Sequence, residues 1–186
     1  MKSRLTFTRP ILVALVLGAC ALTAACATPP DEITIDVSDK IRADGPIIAK
    51  VHATGFQVYI CKADAVSGQL AWTLKAPDAT FEGANGLKGK HYAGPTWEST
   101  VDGSKVVGKK LAEEVHADAI PWLLLAAADH TGNGLLSTVT YIQRINTTGG
   151  KAPPIGNAQA GDELPVAYTA DYIFRGPGTT TQPAKP

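Results

Sequence analysis

The sequence predicts an all-β domain with at most one short helix, built as an antiparallel β-sandwich or, alternatively, as a closed β-barrel. Apolar and polar residues alternate with a period of two in one segment after another, as half-buried strands require. Turn signals rich in Gly, Asn and Asp separate these segments, giving about eight or nine strands. The connection Thr147–Glu163 carries four glycines and two adjacent prolines. A loop of that length suits a crossing between sheets better than a meander, which favours the sandwich.

Ala27–Asp31 (ATPPD) reads as a tether, and Ile33, Ile35 and Val37 alternate as a first strand. Ile47, Ala49, Val51 and Ala53 make a second. Thr54-Gly55 interrupts its period, as a bulge or tight turn would. Beyond it Phe56, Val58 and Ile60 share one face, and Gln57, Tyr59 and Cys61 the other. Leu70, Trp72 and Leu74 continue the pattern, and Pro77 is expected to stop that strand. Ala79–His91 reads as a loop or weak hairpin around Asn85-Gly86.

Thr96–Val107 is the strongest hairpin signal. Asp102-Gly103 suits a two-residue type I′ turn, in which both central residues take φ > 0. That register puts Trp97 opposite Gly108, Ser99 opposite Val106 and Val101 opposite Ser104, with Trp97, Val101 and Val106 on the core face. Lys109–Ala117 is open between a short helix and an extended arm. Ile120–Ala128 (IPWLLLAAA) is continuously apolar and short, so a strand buried on both faces is expected. Asp129–Gly134 is a turn, and Leu135–Asn146 returns antiparallel. Leu164–Arg175 is the cleanest strand, with Leu164, Val166, Tyr168, Ala170, Tyr172 and Phe174 alternating without a break.

The chain has 186 residues, of which 45% are apolar and 18% charged. Residues 1–27 read as an export signal, 28–175 as a single all-β domain and 176–186 as a tail too poor in apolar residues to pack. The first segment carries Lys2, Arg4 and Arg9, then the apolar run Ile11–Leu17, then small residues up to Ala27. That order is the secretory pattern, and the run is too short for a stable membrane span. Outside this segment 14 basic residues face 17 acidic ones, a net charge of −3. A weakly acidic body lacks the basic footprint that nucleic acid demands. No polybasic membrane patch is present either, so membrane contact is expected only through the N-terminus.

Leu17-Gly18-Ala19-Cys20 and Leu22-Thr23-Ala24-Ala25-Cys26 both resemble the lipobox of bacterial lipoproteins, in which the cysteine becomes the lipidated first residue. Cys20 has the better-placed leucine; Cys26 leaves the more usual apolar length. Cleavage after Ala27 without lipid is the third option. Neither cysteine is followed by aspartate, which by the lipoprotein sorting rule implies an outer-membrane destination, facing periplasm or surface. A periplasmic or secreted protein is the alternative.

The chemistry-bearing residues are sparse. His52, His91, His116 and His130 show no metal-ligand spacing, and neither a metal nor a cofactor is expected. No GxSxG or SxxK motif occurs. Glu98 and Asp102 on one hairpin arm would lie roughly 13 Å apart, beyond the ~5–9.5 Å of glycosidase pairs. His91, Tyr92, Trp97, Glu98, Asp102, Trp122 and His130 remain as candidate ligand-binding residues. Trp97 and Trp122 lie inside strand patterns and are expected in the core. His91 and Tyr92, ahead of the Gly94-Pro95 kink, are expected as an exposed pair.

Six stretches together resemble the family catalogued as domain of unknown function 3455. They are GFQVYICK (Gly55–Lys62), Trp72 with Ala76-Pro77, KHYAGPTWESTVDGSKV (Lys90–Val106), IPWLLL (Ile120–Leu125), IQRINTTGG (Ile142–Gly150) and YTADYIF (Tyr168–Phe174). The resemblance implies no established activity. Members often carry a cysteine where this chain has Asn157, and there it could pair with the equivalent of Cys61. Here that pairing is impossible, so Cys61 is expected as a packed thiol.

Taken together, the sequence suggests an exported cell-envelope domain that is not an enzyme and binds a small or polymeric ligand or an envelope protein. An envelope hydrolase using His91 with a nearby carboxylate is the alternative, and a structural surface protein the third. The anchor is directly testable. Metabolic labelling with an alkyne fatty acid should tag the unmutated protein and fail in whichever of Cys20→Ala or Cys26→Ala removes the lipid site. No label in the unmutated protein would rule lipidation out.

Overall fold

The computed structural model describes residues 35–178. The export signal, Cys20, Cys26, the tether, Ile33 and residues 179–186 lie outside the described residues. Eight antiparallel strands follow in chain order: β1 (Ile47–Ala63), β2 (Leu70–Gly83), β3 (Lys88–Tyr92), β4 (Thr96–Ser99), β5 (Lys105–Glu114), β6 (Trp122–Thr131), β7 (Tyr141–Gly149) and β8 (Glu163–Arg175). Each pairs with its sequence neighbour, and β1 also pairs with β8, so the sheet closes into a barrel. Of the two architectures expected, the barrel forms rather than the sandwich. The reason is β1. Its 17 residues pair with β2 along one edge and with β8 along the other, leaving no edge from which a second sheet could start. The long connection merely joins β7 and β8, which are themselves adjacent.

The lumen is packed by side chains of complementary size. Tyr168, Ala170, Tyr172 and Phe174 of β8 point inward and are fully buried. Their partners on β1 are small: Ala49 faces Phe174, Val51 faces Tyr172, Ala53 faces Ala170 and Gly55 faces Tyr168. Small residues beside large ones let one layer of rings fill a small barrel. The ring centroids of Trp97 and Tyr172 lie 5.2 Å apart edge to face, and those of Trp97 and Phe174 lie 6.2 Å apart. Each such ring contributes roughly 1.5–3 kcal/mol through burial, and each favourable ring pair about 0.5–1.5 kcal/mol more. Outward positions of β1, such as Lys50, His52 and Thr54, are exposed.

A second cluster lies on the outer face. Residues 35–38 are not a strand; Ile35 and Val37 pack with Ile41, Ile145, Ile173, Trp122 and Leu124. The 3-10 turn Asp39–Ile41 sits in the same cluster. Gln143 donates to the Ile41 carbonyl at 2.7 Å and accepts from Arg175 at 2.7 Å. This cover explains the continuous apolar run of β6, whose two faces meet two different cores.

Several local expectations change. Gly55 does not break β1; a Cβ there would meet the Asp78 carbonyl oxygen at 2.3 Å, so glycine permits the close approach of β2. The bulge falls later, between Val58 and Tyr59. Gln57 therefore stays in phase with the lumen residues, and Phe56 faces out. Pro77 lies within β2, because β3 pairs only with Ala79–Glu82 and leaves the edge beside Pro77 without a partner. Ala79–His91 is a true hairpin. Lys109–Glu114 is extended, as part of β5. Leu135–Thr138 is a 3-10 turn, and the return strand begins only at Tyr141.

The Thr96–Val107 hairpin forms with another register. Trp97 faces Val106 and Glu98 faces Lys105. The loop is Thr100–Gly103, closed by the Ser99 N–H bond to the Ser104 carbonyl at 2.9 Å. Gly103 has φ 72° while Asp102 stays out of the left-handed region, so the turn is not type I′. The Ser99 hydroxyl takes the N–H groups of Val101 and Asp102, which lengthens the loop and leaves Val101 exposed.

Close packing of the lumen yields a stability prediction. A Cβ on Gly89 would lie 2.1 Å from the Glu98 carbonyl oxygen and 2.3 Å from Cζ of Phe81. Gly89→Ala should lower the unfolding free energy by about 2–3 kcal/mol, as overpacking does, measured by urea denaturation. Gly86→Ala has open space at Cβ but φ 80°, so its cost should stay near 1 kcal/mol.

Candidate functional site

Unequal strand lengths open the barrel wall. β3 and β4 have 5 and 4 residues, whereas flanking β2 and β5 have 14 and 10. β4 pairs with β5 only over Lys105–Val107. Leu70–Asp78 of β2 and Lys109–Glu114 of β5 therefore face each other with no strand between them. The β3–β4 turn forms the lip of this notch through Gly94 and Pro95. A cavity of about 360 Å³ opens there and reaches into the lumen.

Its walls are mostly apolar, with Leu74, Pro77, Pro95, Leu123 and Leu125, and its inner end is made by His91, Trp97 and Tyr172. His91 is buried, contrary to the expected exposure, because the alternation of β3 turns it inward. Its ring stacks on Trp97 at 4.2 Å and meets Tyr172 edge-on at 5.2 Å. Nδ1 lies 2.9 Å from the Thr96 carbonyl oxygen. A carbonyl only accepts, so Nδ1 carries the proton and Nε2 presents a lone pair. Burial is the main force driving the His91 pKa down to about 3, and the nearby Arg144 charge adds to it, while the Thr96 bond opposes both. His91 is thus neutral at ordinary pH, and no carboxylate of the described residues bonds to its ring.

Polar groups enter from three strands. Gln57 of β1 is 2% exposed; its side chain interacts with that of Tyr168, but its amide nitrogen completes no hydrogen bond of normal geometry among the described residues. The Trp97 indole N–H is likewise buried and unpartnered. Arg144 of β7 faces Tyr172 across the sheet. It gives two N–H groups to the Pro121 carbonyl, at 3.0 and 2.8 Å. At the rim Lys110 pairs with Glu113 at 2.8 Å, and Lys75 with Glu163.

The other sequence candidates lie elsewhere. Tyr92 and Glu98 are on the outer face, where the Tyr92 hydroxyl donates to Glu98 at 2.8 Å and Lys105 approaches the same oxygen at 3.2 Å. The Tyr92 bond, then Lys105, holds Glu98 below its usual range. Asp102 is a structural latch. Its carboxylate accepts from the Ser104 hydroxyl at 2.6 Å and the Leu135 N–H at 2.9 Å, and these bonds hold its pKa well below the usual range. Trp122 packs in the outer cluster beside His116, at 4.5 Å, and not in the lumen. His130 bonds through Nε2 to the Val139 carbonyl at 2.8 Å. Among the described residues no group of three or more potential ligands converges on a metal position. Cys61 is buried and unpaired.

Gln57, Arg144 and Tyr172 were not among the candidates. One signal could have found two of them. Gln57 lies in phase with Ala49, Val51 and Ala53, and Arg144 in phase with Ile142, so each puts a polar group at a lumen position.

A family model described as "Protein of unknown function (DUF3455)" matches residues 81–176, just over half of the chain, and the chain belongs to that family. The match runs from the end of β2 through β8 and includes His91, Trp97, Arg144 and Tyr172; Gln57 and Leu74–Pro77 precede it. Among curated proteins and solved structures there is no match.

The His91 environment makes a prediction about pH. A folded pKa near 3 against 6.5 unfolded means the unfolded chain binds more protons between those values. Stability from this group is complete above pH 6.5 and declines as pH falls toward 3. Between pH 7 and pH 4 the wild type should lose on the order of 3 kcal/mol more than His91→Phe, read from urea midpoints at each pH. Parallel pH profiles for the two proteins would contradict the buried, neutral assignment.

Proposed function

We propose that this member of the family is a non-enzymatic binding protein of the cell envelope, exported and tethered by its N-terminal cysteine, that holds a small ligand in the notched end of its barrel. The observation that carries this reading is the cavity. Packing fills the rest of the lumen to near-complete burial, yet the notch leaves about 360 Å³ open, within the ~300–1,000 Å³ usual for ligand pockets. Apolar walls with a few fixed polar groups suit binding and orientation. Catalysis by His91 would need an orienting carboxylate, and the ring bonds instead to the Thr96 carbonyl. The apolar interior and polar exterior fit a barrel in water; a lipid-spanning barrel carries the reverse pattern.

Titration of the full chain with the neutral fluorophore N-phenyl-1-naphthylamine tests the cavity. Emission should rise saturably. Leu123→Trp, which fills the space between Leu125 and the rim, should weaken binding at least tenfold with an unchanged circular dichroism spectrum. Val101→Trp, on the exposed hairpin loop, should leave it unchanged. No saturable rise, or a rise indifferent to Leu123→Trp, overturns the reading.

A further inference from the structure

We propose that the ligand is a monoanionic organic acid whose carboxylate meets Arg144 and Gln57 while its apolar body lies against Leu74, Pro77 and Leu123. This rests on the binding reading above and goes further, to the chemical class of the ligand. Three independent features support it.

The first is charge. Of the three cations that line the cavity, Lys110 is neutralised by Glu113 and Lys75 by Glu163. Arg144 makes no salt bridge among the described residues; its bonds go to the Pro121 carbonyl and the Tyr172 hydroxyl, both neutral, and Glu113 feels its charge only from a distance. A half-buried guanidinium with no carboxylate in contact is costly, and an incoming anion relieves that cost.

The second is the sign of the hydrogen-bonding groups. Among the described residues, the Gln57 amide nitrogen and the Trp97 indole N–H complete no hydrogen bond of normal geometry; both are donors, and the His91 Nε2 lone pair is the acceptor beside them. Three of the five Arg144 N–H groups do not reach the Pro121 oxygen. Donors outnumber that one acceptor, which calls for a ligand rich in acceptors, and a buried donor left unmade costs about 1–3 kcal/mol. The planar fork of arginine, fixed in place by Pro121, matches the two oxygens of a carboxylate.

The third is selectivity among anions. Glu113 stands on the lumen face opposite Leu123 and feels the Arg144 charge. Paired with Lys110, it leaves Arg144 as the one net cation of the lining, and a single positive charge disfavours phosphate dianions. The neutral His91 supplies no second cation. The apolar wall between Leu74 and Leu123 then selects acids that carry a hydrocarbon or aromatic body over small hydrophilic ones.

The test compares 4-phenylbutyrate with its neutral isostere 4-phenylbutanamide, by calorimetric titration of the full chain at pH 7 and low salt. The acid should bind at least tenfold more tightly. Arg144→Gln should reduce acid affinity tenfold or more and leave the amide within twofold. Arg144 also holds Pro121, so Gln57→Leu is the second variant. It leaves Arg144 and its bonds to Pro121 in place, and should weaken the acid about threefold. Equal binding of acid and amide, or an acid preference that survives both substitutions, overturns this inference while the naphthylamine result leaves the cavity reading intact. Failure of both compounds to bind overturns it as well, and joined to a failed naphthylamine titration overturns the binding reading too.

Discussion

The structure depends on the seam between β1 and β8. Pairing along this seam closes the sheet, and closure abolishes edges that would otherwise pair with other chains. The same seam sets the filling of the lumen. Rings on β8 project over alanine, valine and glycine on β1, so one strand supplies volume and its neighbour supplies room. Neither pattern would succeed alone. Large residues on both strands would burst the barrel, and small residues on both would leave it hollow.

The cavity is a consequence of closing a sheet with strands of unequal length. Hydrogen bonding completes the lower wall through the short β3–β4 hairpin, and above it β2 and β5 run on without a partner between them. The residues at this gap are those that tolerate missing partners. Pro77 has no N–H to satisfy, and Gly94-Pro95 turns the chain tightly at the lip. The polar groups that reach the gap come from strands far apart in sequence, β1 and β7, and they meet only because the barrel returns β8 to β1. An arginine without a salt bridge, a buried amide and a neutral imidazole in one apolar pocket form an arrangement that stability alone does not favour.

Much of the fold was legible in the sequence. The alternation of Leu164–Phe174 marks β8 with its inward face correctly assigned, and Ala49, Val51 and Ala53 do the same for β1. Where the reading went astray, a local signal was outvoted. Asp102-Gly103 looks like a two-residue turn, but Ser99 and Ser104 close a longer loop through their hydroxyls. Pro77 looks like a strand end, but its edge needs no partner. For the site, His91 and Trp97 were identified and Gln57 and Arg144 were not. The first pair belongs to a conspicuous aromatic stretch. The second pair is visible only as polar residues at lumen positions, a signal that has meaning once it is known which face is the lumen.

The sequence by itself determined the class of the fold, the position of most strands, the body's weakly acidic charge and the presence of Trp97 in the core. These follow from alternation, turn chemistry and composition, which are local properties of the chain. Only the tertiary structure decided that the sheet closes, that His91 is buried and neutral, and that Gln57, Arg144 and Tyr172 share one cavity. These depend on register between strands over a hundred residues apart. A shift of one residue in that register would turn every one of these side chains to the opposite face.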